Sequence, residues 1–230
     1  MYDWLLFDLD GTLLDYDAAE AAALKAALEE VHVDMTPELA AVYRKVNKAL
    51  WRAFERDEVT AGHIRTQRFH HLVEELTLDA DPEVVAGHYI HHLAGSTHVI
   101  EGAREVVEAL RADHSIAIIT NGLSDVQRPR LESTGFVDLA DVIVISDEEG
   151  VSKPDSRFFE VTFERMGRPD PDDALVIGDS LTSDMAGGAR YGVDTCWVNP
   201  EGHENDLGVE VTYEIAHVRE VPGLIGSSGT

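Results

Sequence analysis

Short runs of branched apolar residues alternate along this chain with longer stretches of helical period. Residues 4–7, 116–119, 142–145, 175–177 and 195–198 read as strands, each bounded by polar or glycine-containing segments. Residues 102–111, 124–133, 156–166 and 184–191 read as helices between them. Gly135, Gly167 and Gly192 follow three of these helices, where a left-handed C-terminal cap belongs. Strands regularly separated by helices predict an α/β fold, a Rossmann-like parallel sheet with crossover helices.

One stretch breaks the rhythm. Between the first strand and the rest lie about eighty residues with helical spacing only, far beyond ordinary loop lengths. Leu24, Leu28 and Val31 share one period, Leu39, Val42, Tyr43, Val46, Leu50 and Phe54 a second, and Phe69, Leu72, Val73 and Leu76 a third. The predicted organisation is therefore a catalytic core of residues 1–14 and 98–230 with an all-helical cap domain, 15–97, inserted in it. The Gly/Ser-rich segment 223–230 is expected to fray.

Polar clusters stand at the carboxyl ends of three predicted strands. The first strand runs into Asp8-Leu9-Asp10-Gly11-Thr12, the second ends in Thr120-Asn121-Gly122, and the fourth ends in Gly178-Asp179-Ser180, with Asp184 five residues past Asp179. Ligands bind at this edge of an open α/β sheet, so three segments would deliver carboxylates and hydroxyls to one place. Crowded carboxylates repel unless a cation sits among them, and a few hard oxygen ligands with room for water and phosphate suit Mg²⁺. Lys153 follows the third strand, in a chain whose other lysines are only Lys25, Lys45 and Lys48. A fixed cation there would stabilise a nucleophile and a transferring phosphoryl group.

Asp-x-Asp-Gly-Thr, an apolar strand ending in Thr, a downstream Lys-Pro and Gly-Asp-x-x-x-x-Asp resemble, in order and across the whole chain, the four motifs of haloacid dehalogenase-type phosphatases. The resemblance implies that Asp8 attacks phosphorus and forms an aspartyl-phosphate. It implies that Asp10 protonates the leaving alcohol and then activates the hydrolytic water. Mg²⁺ would be held by Asp8, the main-chain carbonyl of Asp10 and Asp179, with Asp184 holding its waters or orienting Lys153. Thr120 and the Asn121 amide would grip phosphate oxygens. Dehalogenases of this family have a non-acidic residue at the position of Asp10, which argues against dehalogenation here. The helical insert is similar to the cap that closes over substrate in such enzymes.

Within the family, Val46-Asn47-Lys48-Ala49-Leu50-Trp51, Thr120-Asn121-Gly122 with Gln127 and Arg130-Leu131-Glu132, and Ile145-Ser146 with Gly150-Val151 look like a pyrimidine nucleoside 5′-monophosphatase branch. That likeness implies a nucleotide substrate, with Asn47, Lys48 and Trp51 supplying hydrogen bonds, a charge and a stacking face. A phosphoglycolate or sugar-phosphate phosphatase would share the same core. A catalytically silent Mg²⁺- or phosphate-binding module would be expected to have lost Asp8, Asp10 or Lys153, and all three are present.

Composition narrows the partners. Asp and Glu number 44 against 18 Lys and Arg, a net charge of -26. That surface repels nucleic-acid backbones and anionic membranes, leaving a small phosphomonoester as the expected partner and a monomer or homodimer as the assembly. Such self-repulsion fits a high-salt cytoplasm, where screening is strong. A single cysteine, Cys196, allows no internal disulfide and suits a reducing, cytoplasmic setting; it reads as a small buried hydrophobe. The first residues carry no basic segment and their apolar run breaks at Asp8, so no signal peptide is expected. The pairs His70-His71 and His88/His92, with His91 between the latter two, read as solvated side chains before metal ligands.

Overall fold

A computed structural model describes residues 2–56 and 58–226. Strands β1 (Trp4–Phe7), β2 (Ser115–Thr120), β3 (Val142–Ile145), β4 (Ala174–Gly178), β5 (Asp194–Val198) and β6 (Tyr213–Ile215) form one parallel sheet in the order β3-β2-β1-β4-β5-β6. The helices are α1 (Tyr16–Glu30), α2 (Pro37–Phe54), α3 (Ala61–Leu76), α4 (Pro82–Ala94), α5 (Ala103–Leu110), α6 (Ser124–Thr134), α7 (Ser146–Glu149), α8 (Ser156–Arg165), α9 (Ala186–Tyr191) and α10 (Val221–Gly226). The α/β parallel-sheet fold expected from the sequence is the fold observed. Two differences concern short elements. The edge strand β6 has only three residues, too few to show a period. The helix expected from 184 instead begins with a π-turn over Leu181–Met185. Of the 223–230 segment, the part up to Gly226 is helical and residues 227–230 lie outside the described ones.

The chain divides into two compact units. The sheet unit comprises residues up to Asp15, His98–Asn121 and the chain from Thr134 onward. Its central strand β1 is apolar throughout and lies in register between β2 and β4, with Phe7 beside Ile118 and Ile177. One core cluster joins Leu6, Ala117, Ile119, Val144, Val176 and Trp197 of the strands to Phe158, Phe159, Phe163 and Met166 from α8 and its C-cap. Burying each such large side chain is worth about 1.5–3 kcal/mol. The chain leaves this unit beside the point where it returns: Asp15 N–H donates to His98 O, and Ile100 N–H to Leu13 O.

The helical unit comprises Tyr16–Thr97 and Gly122–Ser133. Three of its helices start at side-chain caps: Thr36 accepts from Leu39 N–H, Thr60 from His63 N–H and Asp81 from Glu83 N–H. Pro37 and Pro82 occupy first-turn positions where a missing N–H costs nothing. Leu24, Leu28, Leu39, Tyr43, Phe69, Leu72 and Tyr89 form its core, and Val126 of α6 packs into the same cluster. That contact is why residues 122–133, read from sequence as part of the sheet domain, group with the helices. On α2 the buried edge is Leu39, Tyr43 and Asn47, whereas Val46, Leu50 and Phe54 are half-buried.

Candidate active site

Residues at the ends of β1, β2 and β4 and in the loop before α8 build one cluster inside the sheet unit. Asp8 directly follows β1, and its N–H donates to Ile177 O at 2.8 Å, extending the β1–β4 ladder by one residue. The strand order reverses here, between β1 and β4, which opens a crevice at their carboxyl ends. Two glycines make room for the acids. Gly178 ends β4, and a Cβ on it would collide with the Asp184 carboxylate. Gly11 has φ +85°, which disfavours other residues, and a Cβ there would collide with Asp179. The π-turn swings Asp184 back toward the strand end, where its Oδ2 accepts from Ser180 N–H at 3.1 Å.

Lys153 is 1% exposed, and its Nζ donates to Asp8 Oδ1 at 2.6 Å, Asp184 Oδ1 at 2.7 Å and Ile119 O at 2.9 Å. These three partners use all three ammonium protons. Burial opposes the charged form, but Asp184 and Asp8 outweigh it and hold the lysine above its ordinary range. Burial pushes the Asp8 carboxyl up to about 7, against the pull of Lys153 and with a further push from Asp184 and Asp10. Asp179 stands at the open side of the group, its surface exposed. Close protein atoms still desolvate its carboxyl, and with the charges of Asp8 and Asp184 they raise it well above the usual range. Trp197, on β5, fixes the Asp179 main chain by donating Nε1–H to its carbonyl at 2.8 Å.

Among the described residues, Asp8, Asp179 and Asp184 form a group whose carboxylate oxygens, one from each, all lie within 4.8 Å of one another. The four acids expected to crowd together thus narrow to three, with the Asp10 carboxylate outside that group. All three offer hard oxygens, and one ammonium, that of Lys153, bonds to two of these three clustered carboxylates, Asp8 and Asp184. The donor set therefore fits a small divalent cation such as Mg²⁺.

The other expected site residues are placed as follows. Thr120 ends β2 and is buried beside the cluster's Ile119. Thr12, part of the first motif though not an expected site residue, is buried, and its hydroxyl has no hydrogen-bond partner among the described residues. The Asn121 side chain is engaged with Lys153: its Oδ1 accepts from Lys153 N–H at 3.0 Å and its Nδ2 donates to Lys153 O at 2.9 Å.

In the helical unit, Asn47 is buried. It donates to Glu20 Oε1 at 2.5 Å and Tyr16 OH at 3.5 Å, and accepts from Arg68 Nη1 at 3.1 Å. Lys48 is exposed, and Trp51 is half-buried against the edge of Phe54. The sequence reading missed Glu20 and Arg68, which lie 27 and 21 residues from Asn47 and carry no motif. His88 Nδ1 and His92 Nε2 each stand 2.5 Å from a different oxygen of Glu30, which gives the spaced pair a partner without a metal. Cys196 is buried in β5, and burial pushes its thiol up to about 12, as suits an inert hydrophobe.

Residues 2–192 match the haloacid dehalogenase-like hydrolase family. The chain is 35% identical over its whole length to the putative HAD-hydrolase YfnB of Bacillus subtilis, covering 97% of that protein. It is 34% identical to the pyrimidine 5′-nucleotidase YjjG of Escherichia coli, over 97% of this chain and 98% of that one. It is 35% identical to the pyrimidine 5′-nucleotidase PynA of Streptococcus pneumoniae, over 93% and 91%. The crystal structure of YfnB bound to magnesium superposes with a TM-score of 0.91, over 97% of this chain and 98% of that one.

Proposed function

This chain belongs to the haloacid dehalogenase-like hydrolases as a phosphatase of that family, and from this premise we propose that it hydrolyses pyrimidine nucleoside 5′-monophosphates through an aspartyl-phosphate on Asp8. The observation that carries the chemistry is the Lys153 ammonium held between Asp8 and Asp184 beside a third carboxylate, Asp179. Similarity to two pyrimidine 5′-nucleotidases carries the substrate class.

In the proposed cycle an Asp8 oxygen attacks phosphorus and the bond to the ester oxygen breaks. Asp10 gives its proton to the departing nucleoside alcohol. The same carboxylate then takes a proton from water as that water attacks phosphorus, which releases inorganic phosphate and restores Asp8. Lys153 holds Asp8 in place and offsets the charge of the transferring group. Asp184 orients Lys153, while Thr120 binds phosphate oxygens. Asp8, the Asp10 carbonyl, Asp179 and Asp184 are the groups that would hold Mg²⁺, whose charge would neutralise phosphate oxygens. We assign selectivity for the nucleoside to the helical unit, with Asn47, Lys48 and Trp51 as its contributors.

A phosphate-release screen with Mg²⁺ tests this reading across nucleotides, sugar phosphates and phosphoglycolate. Preference for dUMP, UMP or dTMP is the expected result. Preference for a sugar phosphate or phosphoglycolate would keep the core chemistry and overturn the assigned substrate.

The charge of -26 supports a second, physiological reading, a protein adapted to a saline cytoplasm. Its melting temperature should rise from low salt to molar KCl; equal stability in both would exclude the adaptation.

A further inference from the structure

We propose that the side chain of Asn121 is a positioning group that holds the main chain of Lys153, rather than a phosphate ligand. Lys153 lies in a segment that is neither helix nor strand, so no ladder or helical turn sets its place. The Asn121 side chain supplies what a neighbouring strand would: an acceptor for the lysine N–H at 3.0 Å and a donor for its carbonyl at 2.9 Å. The carboxamide oxygen and one of the two Nδ2 protons are used in this pair, which turns the side chain toward Lys153. Asn121 itself directly follows β2, whose residue Ile119 accepts from Lys153 Nζ at 2.9 Å. The end of β2 therefore grips the lysine twice, at the main chain through Asn121 and at the ammonium through Ile119 O.

The double grip matters because the ammonium has no spare proton. Its three donors are shared among Asp8, Asp184 and Ile119, and the side chain is fully buried. A main chain free to shift would move the ammonium relative to Asp8 and misplace the charge that the transfer needs. Displacements near 1 Å in such positioning contacts cost up to about a hundredfold in rate. Binding of phosphate oxygens by other groups would survive.

The inference rests on the phosphoryl-transfer reading above, and p-nitrophenyl phosphate tests it without assuming a nucleotide substrate. Asn121→Ala should lower kcat roughly 10- to 100-fold. KM and the inhibition constant of inorganic phosphate should stay within about threefold, since the bound phosphate loses no contact. Asn121→Asp keeps the acceptor for Lys153 N–H and should recover part of the lost kcat. A rise of about tenfold or more in KM and in the phosphate inhibition constant, with kcat retained, would make Asn121 a phosphate ligand and overturn the proposal. An unchanged kcat in Asn121→Ala would overturn it too, as would Asn121→Asp performing no better than alanine. Should the alanine variant not fold, Asn121→Asp is read alone by the same split between kcat and KM. A wild type inactive on every phosphomonoester would sink the phosphatase chemistry itself; an active one with the wrong split sinks only the role of Asn121.

Discussion

In the sheet unit Lys153 bonds directly to Asp8 and Asp184, whereas in the helical unit the buried Arg68 reaches Glu20 only through Asn47. Both cations are almost wholly shielded from water, at 1% and 2% exposure, so each must be answered by protein groups. Lys153 has every proton assigned. Arg68 instead spreads over aromatic faces, 4.4 Å from the Tyr89 ring centre and 5.4 Å from that of Phe69. Its Nε has no hydrogen-bond partner among the described residues. Direct pairing fixes a charge to one point, as group transfer requires. The relayed arrangement leaves its carboxyl easy to protonate: burial pushes Glu20 up to about 7, against the pull of Tyr16 and Arg68.

The largest effect is expected at the attacking group. Asp8→Asn keeps the shape and removes the nucleophile, so turnover should fall at least about a thousandfold while the protein stays folded. Phosphate release measured beside a melting curve checks both halves, and appreciable residual turnover would refute the assigned role. Lys153→Met acts on stability as well. It leaves Asp8 and Asp184 buried without their cation, a loss on the order of 3–5 kcal/mol in denaturant unfolding. A cost below about 1 kcal/mol would mean that the direct pair is no more binding than a surface one.

Glu20 sharpens the contrast through pH. Its folded carboxyl titrates at about 7, raised from 4.5. The folded state therefore favours the protonated form, so this group's contribution to stability is fully present below about pH 4.5 and is lost as pH rises through 7. The loss amounts to roughly 3 kcal/mol at most. Glu20→Gln can still accept from Asn47, and it should flatten the fall in stability between pH 5 and 8. Identical pH profiles for the two proteins would show that Glu20 is ionised throughout and that the relay through Asn47 suffices.

The same two regions differ in how much of them the sequence revealed. The gathering of Asp8, Lys153, Asp179 and Asp184 was legible because each stands where an apolar strand, or the helix after it, meets a polar break, and strand ends of a parallel sheet converge, whereas the Asp10 carboxylate lies outside their group. The long insert was legible as helices because Leu24 with Leu28, Leu39 with Tyr43, and Phe69 with Leu72 each fall at helical spacing. Partners were not legible. Asn121 was expected to face phosphate, yet its amide closes on Lys153, 32 residues away. Asn47 was singled out for contact with substrate, and the partners that hold it, Glu20 and Arg68, come from other helices. A hydrogen bond between distant segments leaves no period and no spacing in the chain. Strand β6 escaped for another reason: only Ile215 of its three residues is buried.

The smallest expected effect lies one step outside the direct pair. Trp197 touches no charge of the cluster; it donates Nε1–H to the Asp179 carbonyl and is 4% exposed in the sheet core. Trp197→Phe keeps an aromatic ring in place and loses that one bond, a cost of about 1 kcal/mol. If the bond also sets the direction of the Asp179 carboxylate, the concentration of Mg²⁺ needed for half-maximal activity should rise several-fold while kcat at saturating Mg²⁺ changes little. If it serves the core alone, stability should fall and the Mg²⁺ requirement stay where it was. The first result would extend the tight construction of the sheet unit from the ammonium to the open-side carboxylate. The second would confine it to Lys153.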